Sequence, residues 1–210
     1  MHKLLNILSN AWSVLLYPML MPMYGMLLFC YAIRQLSPEL PMLYLLICVI
    51  GTIVLTLVIP ITLLLFMHWK GYIDSLHIDN PRQRTMPDIY TMICYGFWAY
   101  FVHGIVRLPV FMLVIICGAI GALGIVTIIN HWWKISAHLT GIGGLLGGVC
   151  SFAMNYARLP LGMIIALLVV SLLLMYARIY LNAHSPMQVV CGFILGILAI
   201  FVPNFIMLYA

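Results

Sequence analysis

The chain has 210 residues, of which 66% are hydrophobic and 6% charged, with a mean hydropathy of +1.18. A water-soluble fold needs far more polar surface than this, so soluble enzymes and binding modules are excluded. The net charge of +5 comes from basic residues scattered singly at the ends of apolar runs, which excludes a nucleic-acid surface and leaves anionic headgroups or phosphorylated substrates as counterparts.

Only helices or a closed barrel satisfy backbone polar groups inside a bilayer. The apolar runs here are long and continuous, unlike the alternating ten-residue segments of a barrel. An all-α, polytopic transmembrane bundle of about six to seven spans is therefore expected, as a single integral-membrane domain over 1–210. The six cysteines (30, 48, 94, 117, 150 and 191) each sit inside an apolar run without CxxC or Cys/His spacing. They read as small core residues, indicating neither a disulfide framework nor a zinc site.

In chain order, His2 to Ser13 reads as weakly amphipathic rather than as a cleavable signal. A first span is predicted from about Tyr17 to Ile33, with Pro18 and Pro22 near its start, where proline is tolerated. A polar turn, Arg34 to Glu39, leads to a second span from about Leu43 to Phe66, kinked at Pro60. His68-Trp69-Lys70 forms an interfacial anchor. The polar segment from Lys70 to Asp88 holds three of the four acidic residues. A third span, about Ile89 to Val106, turns at Arg107-Leu108-Pro109 into a fourth, about Val110 to Ile129. Asn130 to Lys134 forms a second aromatic and basic belt. The fifth span, about Ala137 to Tyr156, carries Gly141, Gly143, Gly144, Gly147 and Gly148, which permit close helix approach. The sixth ends at Arg178, and the seventh runs from about Gln188 to Leu208.

No Asp or Glu follows Asp88, so Arg178 has no carboxylate nearby in sequence. An unpaired guanidinium at a membrane boundary is costly unless it snorkels or holds an anion. Two earlier clusters can share that anion: Arg82-Gln83-Arg84-Thr85-Met86-Pro87 and Lys134-Ile135-Ser136-Ala137-His138. Two spans separate the first from the second, and two more separate the second from Arg178–His184. All three segments are therefore expected on one side of the membrane. Each also has a plainer explanation: Arg82, Arg84 and Lys134 suit interfacial anchors, and His138 suits a hydrogen-bonded core position.

Ala177-Arg178, then His184 and Gln188, resembles the signature of the type 2 phosphatidic acid phosphatase superfamily, in which Arg, His and Asp stand at those positions. Ile135-Ser136-Ala137-His138 is similar to that family's Pro-Ser-Gly-His. Arg82-x-Arg84-x-x-Pro87 is similar to a degenerate form of its Lys-x6-Arg-Pro. The resemblance covers roughly residues 70–200.

It implies hydrolysis of a lipid phosphomonoester or diphosphate, with phosphatidate, phosphatidylglycerophosphate and polyprenyl diphosphate as substrate types. His184 would be the nucleophile, forming a phosphohistidine, and His138 the general acid. Arg84 and Arg178 would hold the phosphoryl oxygens, with Ser136 and helix-start amides completing the cradle. Arg82 and Lys134 are further candidate phosphate contacts. The resemblance implies no metal and no cofactor.

Gln188 stands where the family has Asp. A glutamine carbonyl can hold the imidazole tautomer but supplies no charge; in serine proteases the equivalent amide change costs about 10⁴ in kcat. A replacement carboxylate would come from Asp79 or Asp88, which flank the first cluster. A catalytically weakened relative that binds phosphorylated lipids, as a carrier or assembly factor, is thus the alternative. A transporter should show broken spans and an internal repeat; Pro60 and the glycine-rich span are the only hints of either. Basic-residue counts put the site side in the cytoplasm, but without the candidate phosphate contacts they decide nothing. The resemblance implies a site facing away from the cytoplasm in a bacterial inner membrane. Oligomeric state has no sequence signal.

Overall fold

The computed structural model describes residues 2–74, 84–156 and 161–209, and every regular element among them is helical. Expectations attached to Asp79, Arg82 and the 157–160 turn lie outside the described residues. The protein is an all-α polytopic bundle, and six of its described helices are long and apolar enough to cross a membrane.

Helix α1, His2–Leu15, is too short to cross and packs against a later span. A 3₁₀ turn at Pro18–Leu20 leads into α2, Met21–Leu36. Helices α3, Met42–Ile53, and α4, Ile59–Trp69, join through a π-helical turn, Val54–Val58, into one span, Met42–Trp69. Pro60 explains the wide turn. It has no N–H to donate and its ring would collide with the carbonyl four residues earlier, and a π bulge relieves both. The expected irregularity at Pro60 thus coincides with a π turn just before it.

Helix α5, Thr85–Tyr100, continues through a second π turn, Phe101–Ile105. It begins four residues before the expected span because the Arg84–Asp88 segment is already helical. Helices α6, Val110–Ile129, α7, Ala137–Tyr156, α8, Leu161–Tyr180, and α9, Pro186–Tyr209, complete the chain. Their bounds fall within two residues of the expected spans.

The helices alternate in direction. Gly25 of α2 faces Leu145 of α7, and Met21 faces Gly141, so these two run the same way. Asp88 at the start of α5 meets Thr127 near the end of α6, so those two are antiparallel. The start of α5 with Arg84, the 130–136 loop and the 181–185 turn thereby share one end of the bundle, as parity required.

Backbone contact between α7 and α9 holds that end together. A side chain at Gly143 would strike the Phe193 carbonyl, and one at Gly196 the Thr140 carbonyl and the Gly144 amide nitrogen. In lipid, where hydrocarbon offers no hydrophobic gain, such close small-residue packing is what associates helices. At the far end, Met26, Phe29, Trp98, Phe111, Ile116 and Phe152 form the main buried cluster. Trp98 Nε1–H donates to Thr52 Oγ1 at 3.0 Å, which ties α5 to α3 and satisfies a buried donor. Large exposed apolar side chains such as Leu172 and Ile165 face outward, as a lipid-embedded surface requires.

Candidate functional site

The turn between α8 and α9 is built from two standard helix caps in direct succession. Ala183 N–H bonds the Arg178 carbonyl at 3.1 Å and Asn182 N–H the Ile179 carbonyl at 2.9 Å. With Asn182 at φ +52°, this is a Schellman closure, in which asparagine tolerates the left-handed position. Ser185 then caps α9: its N–H donates to Gln188 Oε1 at 3.0 Å, and Gln188 N–H donates to Ser185 Oγ at 3.4 Å. This is a reciprocal capping box with Pro186 at the first helical position. The spacing from Arg178 to His184 is the length these two caps require. Arg178 lies in the last turn of one helix and His184 just before the cap of the next.

His184 is held from behind. Its Nδ1 lies 3.2 Å from the Lys134 carbonyl and 3.3 Å from Gln188 Oε1. Both partners accept; the amide of Gln188 is oriented by the Ser185 N–H it also receives. The proton therefore belongs on Nδ1, and Nε2 carries the lone pair. Burial first, and the nearby Arg178 charge second, push the imidazole down to about 4, so the ring is neutral at neutral pH.

Linkage gives a sign. Between its ordinary value near 6.5 and about 4, an unfolded chain binds the proton that the folded ring refuses. His184 should make the protein lose stability as pH falls through that window and level off below it. His184→Asn, which does not titrate, is expected to flatten that part of a melting-temperature profile measured in nanodiscs from pH 7 to 4.

His138 sits at the second position of α7, where its Nε2–H donates to the Ser13 carbonyl at 3.1 Å. The Tyr17 ring meets it edge-on at 5.5 Å between centroids. Arg178, Arg84 and His184 all lie within electrostatic range of it.

A cavity of about 730 Å³ brings these groups together. Arg84, Lys134, His138, Arg178 and His184 line one end of it, from the residue before α5, the 130–136 loop, α7, α8 and the α8–α9 turn. The Nε of Arg178 is buried and has no hydrogen-bond partner among the described residues. Gln188 stands behind His184, outside the wall. Ser136 is fully buried, with its backbone carbonyl against Gly192, and does not line the cavity; its amide donates to the Gln188 carbonyl at 3.3 Å and its hydroxyl oxygen has no partner among the described residues. Arg82 lies outside the described residues.

Asp88 does reach the wall, but its carboxylate accepts from Thr127 Oγ1 at 2.9 Å and is not bonded to either imidazole. Among the described residues, no three His, Cys, Asp or Glu side chains come together as a metal site would need.

Ser13 and Tyr17 were not legible as site residues. The contribution of Ser13 is a backbone carbonyl, which leaves no mark on residue identity, and Tyr17 reads as an ordinary interfacial aromatic. Chemically, this end of the cavity presents two guanidinium groups, one ammonium and two imidazoles, of which His184 keeps the lone pair on Nε2 available. Such a set suits a compact, multiply charged oxyanion. No family model, curated protein or solved structure matches the chain.

Proposed function

We propose that the protein is a membrane-embedded phosphatase of phosphorylated lipids, working through a phosphohistidine at His184, as the resemblance to type 2 phosphatidic acid phosphatases implies. The observation that carries this is the His184 ring. Its Nδ1–H is committed to two acceptors, and its ring lines a cavity end shared with Arg84 and Arg178.

In the first step His184 Nε2 attacks phosphorus, the P–N bond forms and the P–O bond to the lipid breaks. The leaving oxygen takes a proton from His138. His138 enters this step as imidazolium, taking up a second proton together with the bound phosphate dianion: its Nε2–H stays on Ser13, and the transferable proton is the one on Nδ1. In the second step water attacks the phosphohistidine, His138 takes its proton back, and phosphate leaves with His184 regenerated. Arg84 and Arg178 neutralise the phosphoryl oxygens throughout. Gln188 fixes the tautomer but cannot offset the positive charge that develops on His184.

Purified protein in nanodiscs should release phosphate from phosphatidate, phosphatidylglycerophosphate or a polyprenyl diphosphate. Gln188→Asp should raise the rate roughly tenfold or more, since a carboxylate would stabilise the imidazolium that glutamine only orients. An unchanged or lower rate in that variant would remove His184 as the group that gains charge.

One observation favours a second reading, a lipid-binding relative that turns over slowly. Gln188 is fully employed in the α9 capping box, so glutamine at this position has a structural reason independent of catalysis. Retained binding of the same lipids without phosphate release would select it. The membrane is taken to be a bacterial inner membrane with the site facing away from the cytoplasm.

A further inference from the structure

The cavity does not stop at the cationic end. Along α7 its wall runs from Ala137 and His138 through Gly141, Gly144 and Gly148 to Phe152. At 1.5 Å per residue, His138 to Phe152 spans about 21 Å, most of a hydrocarbon core near 30 Å thick. The α6 wall extends similarly, from Val126 to Phe111.

Below the charged residues the lining is mostly apolar, interrupted by Thr91, Tyr95 and Thr140, and includes Met21, Met26, Met112 and Met163, whose unbranched side chains adapt to a flexible guest. At the far end Phe29, Phe111 and Phe152 close on one another, with ring centroids 5.9–6.1 Å apart. Tyr156 stacks beneath Phe152 at 4.7 Å and meets Phe111 at 5.6 Å. A charged mouth, a long apolar shaft and an aromatic stop are thus parts of one space.

We propose that this space is a measuring tunnel for one linear hydrocarbon chain of the phosphorylated lipid, with Phe152, Phe29 and Phe111 setting the chain length accepted. The proposal rests on an anionic head at the cationic end, as in the function above, but not on turnover.

Carbon–carbon bonds near 1.5 Å, opened to about 111°, advance about 1.25 Å per carbon, so about 21 Å holds about sixteen carbons. Because the surrounding bilayer is as apolar as the tunnel, burial alone confers no preference for any length. Fit does: a shorter chain leaves the stop without contacts, and a longer one must buckle against it.

The test is competition in nanodiscs. A sixteen-carbon monoalkyl phosphate bearing a terminal diazirine is photo-crosslinked to the protein, and unlabelled monoalkyl phosphates of ten to twenty-two carbons compete at equal mole fraction. Competition is expected to peak near sixteen carbons and to fall about tenfold by twenty-two, and the label should map to Gly148–Phe152 or Phe111–Ile115. Phe152→Ala should move the peak about three carbons longer, by removing the ring that blocks the shaft. Phe152→Leu should move it less, and serves if the alanine variant does not fold. Leu172→Ala, on the lipid face, should leave it in place.

A flat length profile, or a peak that neither Phe152 variant moves, overturns the tunnel. Equal competition by alkyltrimethylammonium ions overturns the anionic head. A peak that shifts as stated in a protein that releases no phosphate supports the tunnel and defeats the phosphatase.

Discussion

Replacing His184 by alanine is expected to lower phosphate release from a phosphorylated lipid at least about 10⁴-fold, the scale on which a covalent nucleophile is lost. Binding of the same lipid should change by only a few-fold, because Arg84 and Arg178 remain on the cavity wall. That split between turnover and affinity separates a nucleophile from a residue that merely supports the fold. The Lys134 carbonyl loses its imidazole donor in the variant, so a modest drop in melting temperature should accompany it. Release that survives the substitution would place the chemistry elsewhere.

Gly196→Val is expected to prevent folding or to cost about 4 kcal/mol or more, at the extreme end of single substitutions. A Cβ at this position overlaps the Thr140 carbonyl, and the Gly144 nitrogen lies 2.7 Å away, so only a shift of whole helices relieves it. Since α7 carries His138 and α9 follows directly from His184, that shift also pulls the two imidazoles apart. Gly196→Ala should be milder but still clearly destabilising. Gly121→Val is the control: a Cβ there meets nothing within 4 Å. Size-exclusion profiles and denaturation midpoints of the three variants measure the difference; equal behaviour of Gly196→Val and Gly121→Val would contradict the close α7–α9 contact.

The bundle was legible because a bilayer leaves so little choice. Continuous apolar runs with polar turns between them put the ends of α6, α7, α8 and α9 within a residue or two of their expected positions. Parity then required that the Arg84, Lys134–His138 and Arg178–His184 segments share one end, which they do.

What hydropathy could not supply was depth and rotation. The resemblance put Ser136 among the phosphate contacts, whereas in the fold the Ser136 backbone carbonyl packs against Gly192 and His138, two residues on, lines the cavity. The cap roles of Ser185 and Gln188 follow a known pattern, Ser-x-x-Gln before an apolar run, and could have been read in advance. The Ser13 carbonyl and the aromatic stop could not, since the first depends on where α1 docks and the second on three helices meeting at one depth.

Brief exposure to a ³²P-labelled lipid phosphate or diphosphate, followed by alkaline quench and peptide mapping, tests the central proposal most directly. An acid-labile, base-stable label on His184 is the expected result, absent from His184→Ala and chased by water on longer incubation. Phosphate release with the label on another residue, or a label that His184→Ala retains, would contradict it.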